Sequence, residues 1–248
     1  MAHEEPIAVL SDVHGNRWAL EAVLADIARR GIATTLNLGD SLYGRLDPAG
    51  TADLLIAAGI PSIAGNQDRV LLETSQAAQA ARDRGFVLEL LTAEHLAWLA
   101  GQPKTLVHGD LLLCHGTPAS DETYLLEHVT PQGATLAPSV AVAAILDGTD
   151  APVVLCGHSH QARTVALPGG RLAVNPGSVG LPAYTADLPH PHVMEAGSPH
   201  ARYAILEKTD EGWRVEHVAV PYAWNEAAAV AKKNGRADWA AWIETGRA

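Results

Sequence analysis

The stretch Ile7-Ala8-Val9-Leu10-Ser11-Asp12-Val13-His14-Gly15-Asn16 sets the pattern for the chain. Its four leading apolar residues predict a short buried strand. A turn follows that carries side chains able to hold a metal ion. Leu20, Val23, Leu24 and Ile27 then recur at helical spacing within residues 16–30, and Gly31 ends that helix. Strand, polar turn, helix is the unit from which parallel sheets are built.

The unit repeats outward. Residues 35–38 predict a strand, Thr51 caps a helix over 52–58 that Gly59 stops, and 61–64 predict a third strand. This β-α-β-α-β order implies parallel strands with covering helices. A helix is expected over 68–84. Another follows Thr92, with Leu96 and Leu99 inward. Gly109-Asp110 turns a hairpin between 105–108 and 111–115. A helix over 137–146 and a buried strand over 153–156 come next. Two more hairpins are expected, at 163–167 with 172–175 and at 203–208 with 213–220. Residues 182–199 hold four prolines and read as a long loop, with His190-Pro191-His192 as a weak metal pair set in solvent. The tail, about 223–247, is helical. No internal repeat or linker interrupts the chain, so one α/β domain over 1–248 is expected.

Of the 248 residues, 17 are basic and 28 acidic, a net charge of −11. That balance argues against stable nucleic-acid binding and against an anionic membrane, since both favour basic surfaces. It leaves room for a small anion if cations sit in the site. No apolar run approaches the roughly 20 residues that span a bilayer, and residues 1–6 lack the basic-then-apolar order of a signal peptide. Cys114 and Cys156 lie in apolar runs and read as reduced core thiols, so a cytoplasmic location is expected. Twelve histidines stand against a single Phe.

Five strand ends carry the chemistry. They read Asp12-Val13-His14, Gly39-Asp40, Gly65-Asn66-Gln67-Asp68, His115-Gly116 and Gly157-His158-Ser159-His160. Ligands bind at the C-terminal edges of open α/β sheets. Oxygen and imidazole donors without thiolate suit Mn, Fe or Zn. Seven donors exceed one ion's needs. Two ions about 3.5–4 Å apart, sharing a carboxylate, use them economically and suit phosphoryl chemistry.

The ordered blocks D-x-H, G-D, G-N-x-D, H-G and G-H-x-H resemble the calcineurin-like metallophosphoesterases. The segments 39–44, 96–106 and 175–180 resemble its small YfcE-type phosphodiesterase branch. The resemblance runs to about Lys208 and leaves the C-terminal helices outside any motif. It implies a sandwich of two mixed β-sheets with helices on both outer faces. It implies that Asp12, His14 and His160 hold one metal, that Asn66, His115 and His158 hold a second, and that Asp40 bridges them. Two divalent ions are implied, Mn2+ first, with Fe, Zn2+ and Ni2+ left open. A bridging hydroxide would attack phosphorus in line, with Asn66 and Asp40 in the catalytic set. A small phosphodiester or nucleotide-type substrate is favoured over a phosphoprotein; a serine/threonine-type protein phosphatase and a non-enzymatic metal-binding scaffold are the alternatives.

Several residues stay open at this point. Asn16 reads as a substrate contact or a cap for the first helix. Tyr43 reads as a substrate contact or simple packing. Asp68 reads as a cap or a partner to the ligands. Trp239 and Trp242 either seal the monomer or build a homo-oligomer interface. Many relatives have G-N-H where Gln67 stands here, and their histidine is proposed to protonate the leaving group. An amide cannot do this.

Overall fold

A computed structural model describes residues 5–248. His3 and most of residues 1–6 therefore lie outside the described residues. The chain begins β1 (Ile7–Leu10), α1 (Arg17–Arg29), β2 (Thr34–Asn37), α2 (Pro48–Ala58), and continues through α3 (Asn66–Leu72), α4 (Gln76–Gln79), α5 (Arg84–Leu90) and α6 (Ala93–Ala100). Next come β3 (Thr105–His108), β4 (Leu111–Cys114), β5 (Glu127–Thr130), β6 (Gly133–Leu136), α7 (Ser139–Ile145) and β7 (Val153–Leu155). The remainder is β8 (Arg163–Ala166), β9 (Leu172–Asn175), β10 (Ala183–Ala186), β11 (His192–Glu195), β12 (Ala201–Thr209), β13 (Gly212–Val220), α8 (Trp224–Lys233) and α9 (Ala237–Thr245).

Two mixed sheets result. One has the order β13-β12-β1-β2, with β1 parallel to β2 and antiparallel to β12. The other has the order β3-β4-β7-β9-β8, with β4, β7 and β9 parallel. Side chains alternate between strand faces, and the apolar runs use both. Val9 and Leu36 meet Leu113, Leu155 and Val174 between the sheets. Ala8 and Leu10 point the other way, onto Leu20, Val23 and Leu55 of α1 and α2. On the far sheet, Cys114, Val154 and Ala173 face Val142 of α7. The expected sandwich with helices on both outer faces is therefore present, and both cysteines are buried core thiols.

Local differences have local causes. α2 begins at Pro48, not after Thr51, because Asp47 caps it and Pro48 occupies its first turn; Thr51 hydrogen-bonds back to the Asp47 carbonyl instead. Residues 61–64 contribute a single parallel bridge, Asn37 to Ser62. The helix expected over 68–84 is broken into α3, α4 and the start of α5. Ser75 caps a new helix by accepting from the Ala78 N–H, and the Arg84 guanidinium donates to the carbonyls of Val70, Leu71 and Glu73. The loop at 182–199 contains the β10–β11 hairpin, and β5–β6 is a hairpin that the sequence reading did not separate from its surroundings. The tail is two helices, turned at Gly235 with a positive φ of 82°.

The inter-sheet layer predicts a graded response to truncation. Leu113→Ala, fully buried there, should lower unfolding free energy in urea by about 2–5 kcal/mol. Val107→Ala, on the exposed side of β3, should change it by less than about 0.5 kcal/mol.

Candidate metal centre

The parallel pairs β1–β2 and β4–β7 bring their C-terminal ends to one edge of the sandwich. Backbone hydrogen bonds then lock the turns together. Asp12 N–H donates to the Gly39 carbonyl at 3.0 Å, His14 N–H to Asp40 at 2.9 Å, and Gly157 N–H to His115 at 2.7 Å. The turns are strained. Asp12, His14, Asp40, His158 and His160 have φ between 52° and 67°. Among the described residues, no other side chain with a Cβ has positive φ. Such conformations persist only where the surroundings enforce them. Here glycines permit the enforcing contacts: a Cβ on Gly65 would lie 2.1 Å from Asp40 Oδ1, and one on Gly180 would lie 1.8 Å from the Val13 carbonyl oxygen.

Backbone carbonyls aim the imidazoles. His14 Nδ1 lies 3.1 Å from the Tyr43 carbonyl, His115 Nδ1 2.8 Å from Leu38, and His160 Nδ1 2.6 Å from Leu181. Each ring nitrogen there donates, which in the neutral imidazole leaves Nε2 as a lone pair. His158 is reversed: its Nε2 lies 3.0 Å from the Glu122 carbonyl, so Nδ1 is its free donor atom. Two triads follow, Asp12 with His14 and His160, and Asp40 with His115 and His158, each with donor atoms within 4.8 Å of one another. The triads abut, with Asp12 Oδ1 3.9 Å from His115 Nε2.

This donor set fits cations. The Nε2 atoms of His14 and His160 face each other at 3.1 Å, a contact of two lone pairs unless a positive charge intervenes. Asp12 Oδ1, His115 Nε2 and Asn66 Oδ1 are buried without hydrogen-bond partners, which is costly unless another ligand engages them. Asn66 opens α3, and its side chain makes no hydrogen bond within the described residues.

Charge and burial compete at these atoms. Burial, then the neighbouring His160, pushes His14 down to about 4. Burial and then His115 push His158 down to about 4 as well. His115 goes the other way. Burial opposes its charge, but Asp40 and then Asp12 outweigh that and push it up to about 10. Burial also opposes the Asp40 charge, yet His115, then His14 and His158, hold its carboxyl well below the usual range.

The open residues resolve unevenly. Asn16 is fully buried. Its Oδ1 accepts from the Ala19 N–H, and its amide donates to the Gly180 carbonyl and the Tyr222 hydroxyl. It caps α1, and both of its amide hydrogens are engaged within the protein. Tyr43 lines a cavity of about 250 Å³ beside His14 and Asp40, while its hydroxyl accepts from the Asp83 N–H. Asp68 both caps α3 through the Gly65 N–H and clamps the Asp40 turn through the Ser41 and Leu42 N–H groups. Burial and then Asp40 push it up to about 7. Gln67 donates its backbone N–H to Asp40 Oδ1 at 2.8 Å, and its side chain lines the same cavity.

Aromatic rings that no motif marked complete the surroundings. Tyr184 packs edge-on to His160 at 4.6 Å, Tyr124 lies 4.7 Å from His158, and Trp239 meets His14 edge-on at 5.8 Å. Trp239 is buried against the body of its own chain, whereas Trp242 stays partly open at the rim of the smaller cavity. His192 is no metal partner for His190: its Nδ1 donates to the His190 carbonyl and its Nε2 lies 3.1 Å from the Tyr124 hydroxyl. Only the apolar spacing of the tail hinted at Trp239. Tyr184 sits in β10 and Tyr124 in the loop before β5, and the sequence pattern separated neither from its surroundings.

Comparison with known proteins gives four matches. A family model described as a calcineurin-like phosphoesterase superfamily domain matches residues 6–194, a span that includes all seven candidate ligands. An uncharacterized protein of Methanocaldococcus jannaschii is 26% identical over 256 residues, covering 94% of each chain. A crystal structure of a metallophosphoesterase from Sphaerobacter thermophilus superposes with a TM-score of 0.75 at 25% identity, covering 98% of this chain and 99% of that one. A hypothetical protein from Pyrococcus horikoshii OT3 shares the fold, with a TM-score of 0.74 at 17% identity over 98% and 99% of the two chains. Matches of that extent take in the C-terminal helices.

The strained turns make a distinctive prediction. His158→Gly and His158→Ala both remove the imidazole, but only glycine adopts φ near 67° freely. The glycine variant should be the more stable of the two by about 1 kcal/mol in urea denaturation. Equal midpoints would show that the turn carries no strain.

Proposed function

The chain belongs to the calcineurin-like phosphoesterase superfamily, and we propose that it is a metal-dependent phosphoesterase that hydrolyses small phosphodiester or nucleotide-type substrates with a pair of divalent cations. The observation that carries this reading is the convergence of the two triads, together with buried Asp12, His115 and Asn66 atoms that make no hydrogen bond. Asp12, His14 and His160 would hold one cation, and Asn66, His115 and His158 the other. Asp40 would contribute its carboxylate to both. When bound, such a pair polarises the phosphoryl group and acidifies a water so that a nucleophile exists near neutral pH.

The chain's own residues do the rest. The carbonyls of Tyr43, Leu38, Leu181 and Glu122 fix ring orientation and tautomer in all four histidines, so no reorganisation is needed when substrate arrives. Asp68 holds the Asp40 turn against Gly65. Tyr184 and Trp239 pack against the imidazoles and limit water around them. The Asn66 amide is unengaged within the protein and can donate to a phosphoryl oxygen as charge gathers there. Mn2+ is the expected ion, with Fe, Zn2+ and Ni2+ compatible with the same donors.

Two outcomes follow. Chelated protein should be inactive toward bis(p-nitrophenyl) phosphate and recover with Mn2+, while Asp40→Asn and His115→Ala should each lose roughly a hundredfold or more in kcat. Turnover that persists in both variants, or inactivity across a phosphoester panel with metal bound, would overturn the reading. With Gln67 unable to protonate a leaving oxygen, kcat/KM across a series of aryl esters should fall steeply as leaving-group pKa rises. A flat series would show that another acid acts.

A further inference from the structure

A second and larger cavity, about 800 Å³, opens on the other side of the candidate metal centre. It shares Asn66 and His158 with that centre, so anything held between the triads reaches it directly. Its remaining lining is largely apolar and includes Tyr124, Ala141, Ile145 and Leu188. A phosphoryl group fills only a small part of such a volume, which lies in the range of pockets that take whole organic ligands.

Charge narrows the occupant. Among the described residues, no Lys or Arg lines this cavity, whereas Glu122, Glu127, Asp187 and His128 do, and the Glu122 carboxylate is met by Arg69 at 2.7 Å. The Glu127 carboxylate is met by Arg163 at 3.0 Å, and Arg163 is not among the lining residues. With two of the three carboxylates already paired and no Lys or Arg in the lining, the cavity offers a second phosphate or a carboxylate no guanidinium or ammonium partner. The side chains of Ile145 and Leu188 are 46% and 80% exposed, so an apolar group entering here would remove their surface from water as well as its own. The smaller cavity beside His14 and Asp40 contrasts with this: it is lined by Arg82 and Arg236 and holds about 250 Å³.

The geometry points to the larger cavity as the subsite for an uncharged apolar substituent, alkyl or aryl, of a phosphoester substrate. This rests on the phosphoesterase reading and narrows it: esters with an extended apolar group are preferred over oligophosphates. Tyr124 keeps its ring against His158, and so offers a flat face next to the phosphoryl position. α7 supplies the opposite contacts through Ala141 and Ile145.

The test uses Mn2+-loaded protein and a series of methyl-, butyl- and hexylphosphonates. Binding is read by calorimetry and by competition with bis(p-nitrophenyl) phosphate turnover. Affinity should rise with chain length, by up to about fourfold for each methylene that is fully buried. Pyrophosphate should show no gain over methylphosphonate. Ala141→Trp places bulk at an exposed helix position that lines the cavity. It should erase the chain-length gain and, because a nitrophenyl ring is itself an aryl substituent, raise KM for bis(p-nitrophenyl) phosphate, while methylphosphonate, too short to reach the cavity, keeps its affinity within about twofold. Turnover with no chain-length gain, or a gain that Ala141→Trp leaves intact, would overturn the assignment of this cavity. A chain-length gain in a protein that hydrolyses no phosphoester would overturn the phosphoesterase reading, and the substrate named here would fall with it.

Discussion

Five residues with side chains sit in left-handed backbone conformations at one edge of a two-sheet sandwich, and the rest of the structure around them acts to keep them there. Asp12, His14, Asp40, His158 and His160 each hold φ above 50°. That state costs of order 1 kcal/mol per residue, so together they cost several kcal/mol in a fold whose net stability is of the same order. They are held by the parallel register of β1 with β2 and of β4 with β7, and by the turn-to-turn hydrogen bonds from Asp12, His14 and Gly157. Gly65 and Gly180 allow the turns to approach more closely than any Cβ would permit. The apolar layer between the sheets contributes the stability that the strained edge consumes.

The same geometry bears on how an acidic chain would accommodate an anion. Around the triads, the carboxylates of Asp12 and Asp40 are surrounded by four imidazoles, and burial works against charge on Asp12, His14, Asp40, His115 and His158. Two divalent cations would bring +4 to a site with two formal carboxylate charges. Net charge over 248 residues therefore says little about this edge of the molecule. The histidine surplus is partly accounted for as well. Four histidines converge on the site, while others have structural partners: His95 with Thr92 and Asp53, His192 with Tyr124, and His217 with Thr164.

Much of this was legible in the sequence for a physical reason. Each candidate ligand follows directly on a short apolar run, so strand and ligand share one local signal, as in Ile7–Leu10 followed by Asp12 and His14. The sandwich was implied by the resemblance that the ordered motifs carry, the alternation of strands with helices agreed with it, and the two sheets bear it out. Elements governed by distant or side-chain contacts were less legible. The break between α3 and α5 depends on Arg84 reaching back to three carbonyls. The β10–β11 strands are four residues each amid prolines, too short for periodicity to register. Asn16 could be read as cap or contact until its amide was seen bound to Gly180 and Tyr222, 164 and 206 residues away. The aromatic ring contacts to His14, His158 and His160 come from segments far apart in the chain, and no local pattern encodes them.

Calorimetric titration of the chelated protein with Mn2+ tests the central claim most directly, because it reads the donor set without reference to substrate. Saturation at two ions per chain is expected, with a thermal midpoint that rises with Mn2+ concentration as binding to the folded state requires. Both sites should weaken in Asp40→Asn. Absence of saturable binding, or a single site indifferent to the loss of the Asp40 carboxylate, would contradict a shared two-cation centre at these strand ends.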